Sequence, residues 1–137
     1  MYTLEQFLAN GQSLVVYRGN EVVFSSESSD LRPLMEFIDG AEEECGELTL
    51  FDKYVGRAAG LLMALIKPRL VYAGIISEGG IETLEKYAIP FEAVRRVRYL
   101  MGMASDDMCQ WEKMSLGKSP GQFWELLKTM GDATTQK

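Results

Sequence analysis

The sequence predicts an α/β domain, specifically a three-layer α/β/α arrangement on a mixed sheet. Three observations predict it. Two β-branched runs, Ser13–Tyr17 and Glu21–Ser25, flank the turn Arg18-Gly19-Asn20, the pattern of an antiparallel hairpin. Residues 48–76 read as strand, apolar helix and strand, the parts of a parallel pair joined by a crossover. Capped helices open and close the chain. At 137 residues there is enough chain for one core and too little for two, so residues 1–137 read as a single domain.

The elements follow in order. Thr3 and Gln6 form a capping box, and Gly11 closes a first helix. After the hairpin, Asp30 is expected to cap a helix with Pro33 in its first turn and Leu31, Leu34, Met35 and Ile38 on one face. Leu48–Phe51 is a short strand. Asp52 then caps a helix running to Ile66, stopped by Lys67-Pro68. That helix is apolar almost all round (Val55, Ala58, Ala59, Leu61, Leu62, Leu65), with Arg57 as its interior charge, so it belongs inside the domain. Gly56 and Gly60 leave a stripe without side chains, which is expected to approach the sheet closely. Arg69–Ile76 reads as a central strand covered on both faces. Ser77-Glu78-Gly79-Gly80 turns it into a helix from Ile81 to Tyr87, and Ile89–Val94 is a further strand. Residues 95–118 show no clear period. Ser119, Pro120 and Gln122 cap a last helix that buries Phe123, Trp124 and Leu127, and the tail 131–137 is expected to fray.

Composition narrows the chemistry. The chain has no histidine, which excludes Ser-His-Asp and Cys-His catalysis and imidazole metal sites. A net charge of −6 argues against a surface that coats nucleic acid. The imbalance lies in residues 1–47, where ten acids, among them Glu42-Glu43-Glu44, meet only Arg18 and Arg32. Arg95, Arg96 and Arg98 form a basic cluster that reads as a surface strand or helix face, or as a contact for anions or an acidic neighbour. Two cysteines, Cys45 and Cys109, do not amount to a secreted disulfide scaffold. The longest apolar stretch is far short of a membrane span, and the first nine residues read as an amphipathic helix rather than a leader. A cytoplasmic protein with no membrane contact is therefore expected.

If the strands on either side of the buried helix run parallel, both following helices start at the carboxyl edge of the sheet, where open α/β sheets bind ligands. Helix starts carry unpaired N–H groups and partial positive charge, which suits anions. Asp52 and Lys53 are expected at one start; Ser77, Glu78, Gly79 and Gly80 at the other. Each residue also has a plain structural reading. Asp52 is a cap, or it orients a ligand or accepts a proton. Lys53 binds an anion or pairs with Glu78. Arg57, in an apolar helix, needs an acidic partner or a ligand. Glu78 offsets the helix dipole or serves as acid or base. Gly79 and Gly80 allow a tight turn or a close ligand. Cys109 and Glu112 would share a helix face, and Cys109 reads as a buried thiol or, activated by cations, a nucleophile. The eight methionines and two tryptophans read as core or as a subunit interface, so a homo-oligomer is compatible with the composition.

The order of elements resembles the cytidine-deaminase fold. The whole chain resembles more closely a small bacterial domain-of-unknown-function family with that fold. The likeness is carried by the hairpin 14–24, by Leu50–Ala59, by Tyr72–Gly80 and by Cys109-Gln-Trp-Glu112. Zinc deaminases place His-x-Glu or Cys-x-Glu at the first helix start and Pro-Cys-x-x-Cys at the second. This chain has Asp52-Lys53-Tyr54 and Ser77-Glu78-Gly79-Gly80 there. The resemblance therefore implies a deaminase-like fold without zinc chemistry, and no metal or other cofactor is expected. The expected function is binding of a small anionic metabolite or nucleotide at the paired helix starts. Any catalysis would be metal-free and would rest on Asp52, Lys53 and Glu78. The alternative is a non-enzymatic regulatory or assembly module that uses the acidic first third and Arg95–Arg98 for contacts between chains.

Overall fold

The computed structural model describes residues 2–28, 31–40, 47–98 and 110–135. Helix α1 (Leu4–Ala9) leads into the hairpin β1 (Leu14–Arg18) and β2 (Glu21–Ser26), then helix α2 (Arg32–Gly40). Strand β3 (Leu48–Val55), helix α3 (Arg57–Ile66), strand β4 (Leu70–Ser77), helix α4 (Glu78–Lys86) and strand β5 (Phe91–Val97) follow. Helices α5 (Gln110–Ser115) and α6 (Pro120–Thr135) complete the fold. The strands form one sheet in the order β2-β1-β3-β4-β5. Strand β1 runs antiparallel to both neighbours, whereas β3, β4 and β5 run parallel. The result is a five-stranded mixed sheet flanked by helices, as the alternation of strand and helix in the sequence predicts.

Local signals explain several boundaries. Thr3 and Gln6 complete the expected capping box on α1, and Ser119 with Gln122 builds the same device on α6. Gly19 takes a positive φ of 61° in the hairpin turn, a conformation that favours glycine. Lys67 ends α3 in the left-handed region, its N–H donating to the Met63 carbonyl, just before Pro68. Helix α6 continues beyond Gly131 to Thr135. Asp30, the acidic run 42–44 and Cys45 lie outside the described residues.

The two faces of the sheet are unequal. Leu14, Val16, Leu48, Leu50, Val71 and Ala73 join α2, α3, α4 and α6 in the main core. Alternate residues Val15, Tyr17, Phe51 and Tyr72 point the other way and meet Tyr2, Leu4 and Phe7 from α1 and the segment before it. Helix α1 is only six residues long, so this second layer is thin.

Three expected boundaries are corrected. Strand β3 does not stop at Phe51 but continues through Asp52 and Lys53 to Val55, and Gly56, in extended conformation, is the residue that precedes α3. Pairing of Tyr54 with Ile75 and of Val55 with Ile76 holds these residues in the sheet. Helix α4 begins a turn earlier than predicted: Ser77 is its cap, accepting from the Gly80 N–H at 3.0 Å, so Gly79 and Gly80 are helical rather than a turn. The last strand is also shifted, starting at Phe91 and carrying Arg95 and Arg96.

Candidate functional site

Both helix starts do lie at one edge of the sheet. Val55 and Ile76 are ladder partners, so α3 and α4 leave adjacent strand ends. They touch there. A Cβ on Gly80 would stand 2.6 Å from the Val55 carbonyl oxygen, and one on Gly79 would stand 3.3 Å from the Arg57 side chain. Further along, a Cβ on Gly60 would meet Thr83 at 3.0 Å, so the small-residue stripe of α3 serves approach to α4, not to the sheet. The α4 start also has donors already engaged: Glu78 N–H donates to the Arg98 carbonyl and Gly80 N–H to Ser77 Oγ.

Arg57 is the first residue of α3, not an interior one, and its guanidinium pairs with Glu82 at 3.0 Å. The acidic partner expected for this arginine is thus present, on the neighbouring helix. Glu82 is 69% exposed, which makes this a surface pair of modest strength. No ion pair joins Lys53 to Glu78 among the described residues, and Glu78 is exposed. Cys109 lies outside the described residues; Glu112 falls on α5, its side chain outside them.

Asp52 is drawn away from the helix start into the sheet. Its ladder partners Leu14 and Ala73 are both core residues, so the carboxyl sits in an apolar row. Burial pushes it up to about 7, against the opposing pull of the Tyr54 and Lys53 backbone N–H groups. One of those bonds is Tyr54 N–H to Asp52 Oδ1 at 3.3 Å. A carboxyl near neutrality can exchange a proton, but Asp52 is not among the residues that line the two hollows on the α1 face.

A cavity does lie on the opposite face of the sheet. On the α1 face, near the amino-terminal ends of β3 and β4, a hollow of about 480 Å³ is lined by Tyr2, Tyr17, Thr49, Phe51, Arg69 and Tyr72. The hairpin turn Gly19-Asn20 and Leu70 complete its rim. Sheet register assembles it: Tyr17 pairs with Thr49, Thr49 with Leu70, and Phe51 with Tyr72. Phe51 and Tyr72 stack with centroids 4.7 Å apart and planes 17° apart. Tyr2 meets Phe51 edge-on at 5.0 Å, and Tyr17 does so at 5.9 Å. Phe51 is thus buried at the centre and three half-buried tyrosines surround it. Asn10 donates to the Tyr2 hydroxyl and so ties the chain before α1 to its end. Burial raises the Tyr2 hydroxyl above its ordinary value, partly offset by that bond.

Arg69 supplies the cavity's cation. Its backbone N–H donates to the Leu48 carbonyl at 2.8 Å, which fixes it at the start of β4, and its side chain is exposed. No carboxylate pairs with it among the described residues. Sequence reading missed this site because its aromatics are scattered along the chain and each looks like an ordinary core residue. Among the described residues no three Cys, Asp or Glu side chains come together as a metal group would require, and no helix is long and apolar enough to cross a membrane.

Comparison with solved structures places this architecture. A protein of the DUF1893 family (TM1506) from Thermotoga maritima superposes with a TM-score of 0.84 over 93% of this chain and 86% of its own, at 24% sequence identity. At that identity the likeness concerns the fold. No curated protein matches the sequence. The family described as TM1506, domain of unknown function (DUF1893), matches residues 3–130, nearly the whole of the sheet and its helices, and the chain belongs to that family.

Proposed function

We propose that the protein binds a small, planar, anionic metabolite of the nucleotide class, and that it does so in the aromatic cavity rather than at the paired helix starts. One observation carries this reading: a hollow of about 480 Å³ edged by tyrosines and lined also by Arg69, which pairs with no carboxylate among the described residues. Ligand sites are typically clefts of roughly 300–1,000 Å³, mostly apolar, with a few polar groups that fix orientation. Aromatic faces accept a planar ring, and arginine suits phosphate or carboxylate because its fork matches their geometry. The helix starts are the weaker place because their contact leaves little room and the α4 donors are already engaged.

A thermal-shift screen of nucleoside monophosphates tests the reading, repeated on Tyr17→Leu and Tyr72→Leu. Stabilisation of the parent protein that is lost in both variants supports the cavity. Stabilisation that survives both but is lost in Arg57→Ala would return the ligand to the helix starts.

A second reading has its own observation. Strand β5 is an edge of the sheet among the described residues and bears exposed Val94, Arg95 and Arg96, which suits contacts with an acidic partner chain. Concentration-dependent assembly without any small-molecule response would favour it.

A further inference from the structure

We propose that the ligand's ring carries an edge that donates hydrogen bonds, as guanine's does, and that Glu92 and Glu5 read this edge while Arg69 holds the anionic arm. The inference rests on the binding site proposed above and names its ligand more closely. A second cavity of about 380 Å³ adjoins the first: Tyr2 and Tyr72 line both. Its other walls include Thr3, Leu4, Glu5 and Glu92.

The register sets the spacing. Val15, Phe51, Tyr72 and Glu92 form one row across β1, β3, β4 and β5. Neighbouring strands lie about 4.8 Å apart, so Glu92 stands one such step beyond Tyr72. Arg69 precedes Tyr72 by three residues, roughly 10 Å along the strand direction at ~3.3 Å per residue. The combined hollow therefore has carboxylates at one end, a cation at the other and tyrosine rings between. That separation suits a base edge and a phosphate on one nucleotide.

Chemistry then selects the ring. Ionised carboxylates only accept hydrogen bonds, and they can accept two in parallel. Guanine offers N1–H and the 2-amino group side by side. Adenine places an acceptor nitrogen beside its amino group, which a carboxylate repels. Charge also fixes the direction of binding, since a phosphate lodged near Glu5 and Glu92 would face two like charges.

Calorimetric titration of the full chain with GMP, AMP and guanosine tests this. GMP is expected to bind at least tenfold more tightly than AMP. Glu92→Gln, and to a lesser degree Glu5→Gln, should weaken GMP and tighten AMP, so that the gap between them closes, because the amide adds a donor for adenine's acceptor nitrogen. Arg69→Gln should weaken GMP about tenfold and leave guanosine unaffected. All three side chains are exposed, so these exchanges spare the core. Equal binding of GMP and AMP, insensitive to Glu92→Gln, would overturn the base assignment while leaving the cavity as the nucleotide site. Failure of every nucleotide and nucleoside to bind would overturn both.

Discussion

Gly80 has no room for even a methyl group. The obstacles are the Val55 carbonyl oxygen at 2.6 Å and Ile76 Cγ1 at 3.0 Å, and the first is backbone that cannot rotate aside. Gly80→Ala is expected to cost roughly 2–3 kcal/mol in urea unfolding, as overpacking does elsewhere. Gly121→Ala, with nothing within 4 Å, should be neutral or slightly stabilising. Asp52 makes stability depend on pH. Its carboxyl titrates at about 7 instead of 3.8, so between those values the native state holds a proton that the unfolded chain has released. Stability therefore falls as pH rises through this window, and the loss is complete above it. Asp52→Asn keeps an oxygen for the Tyr54 N–H and removes the titration. It should stabilise by on the order of 2–4 kcal/mol at pH 8 and have little effect at pH 4. Equal effects at the two pH values would show that the carboxyl ionises as freely in the native state as in the unfolded chain.

Helix α1 depends on its cap, because six residues make a marginal helix. Thr3→Ala removes the hydroxyl that accepts from Gln6 N–H at 3.1 Å, and should cost about 1 kcal/mol. Hydrogen exchange should quicken in α1 before it does in β3 or β4, since α1 alone among the described helices covers the aromatic face. The devices legible in the sequence were of this local kind. Thr3 with Gln6, Ser119 with Gln122, the Gly19 turn and Lys67-Pro68 act within a few residues, and each marked its element. The start of α3 was not legible. Asp52 is a good cap in isolation, but the pairing of Tyr54 and Val55 with β4 outweighs it, and that pairing spans some twenty residues. The start of α4 is equally hidden, because Gly79-Gly80 has the composition of a turn and the packing of Gly80 against Val55 is a contact between distant residues. The aromatic cavity was the least visible feature. Tyr2, Tyr17, Phe51 and Tyr72 carry no motif, and only strand order makes them neighbours.

The sheet as a whole ends in two unlike edges, β2 and β5. Open edges invite pairing with other chains, and charged side chains blunt that tendency. Arg95 and Arg96 are both exposed on β5, beside Val94 at 63% exposure. Replacing both arginines by valine should produce association that grows with concentration in light scattering, and unchanged scattering would show that the edge is shielded by other means. The pairing of unequal faces also locates weakness: the helix-rich side holds the main core, while the side with α1 holds rings around a hollow. Tyr2 lines both halves of that hollow, so any extension of the chain ahead of it is anchored close to the lining. A purification tag fused there would hang over the opening and compete with any compound added in a screen. Recombinant protein carrying its handle at the other terminus is the form in which an empty doorway can be tried.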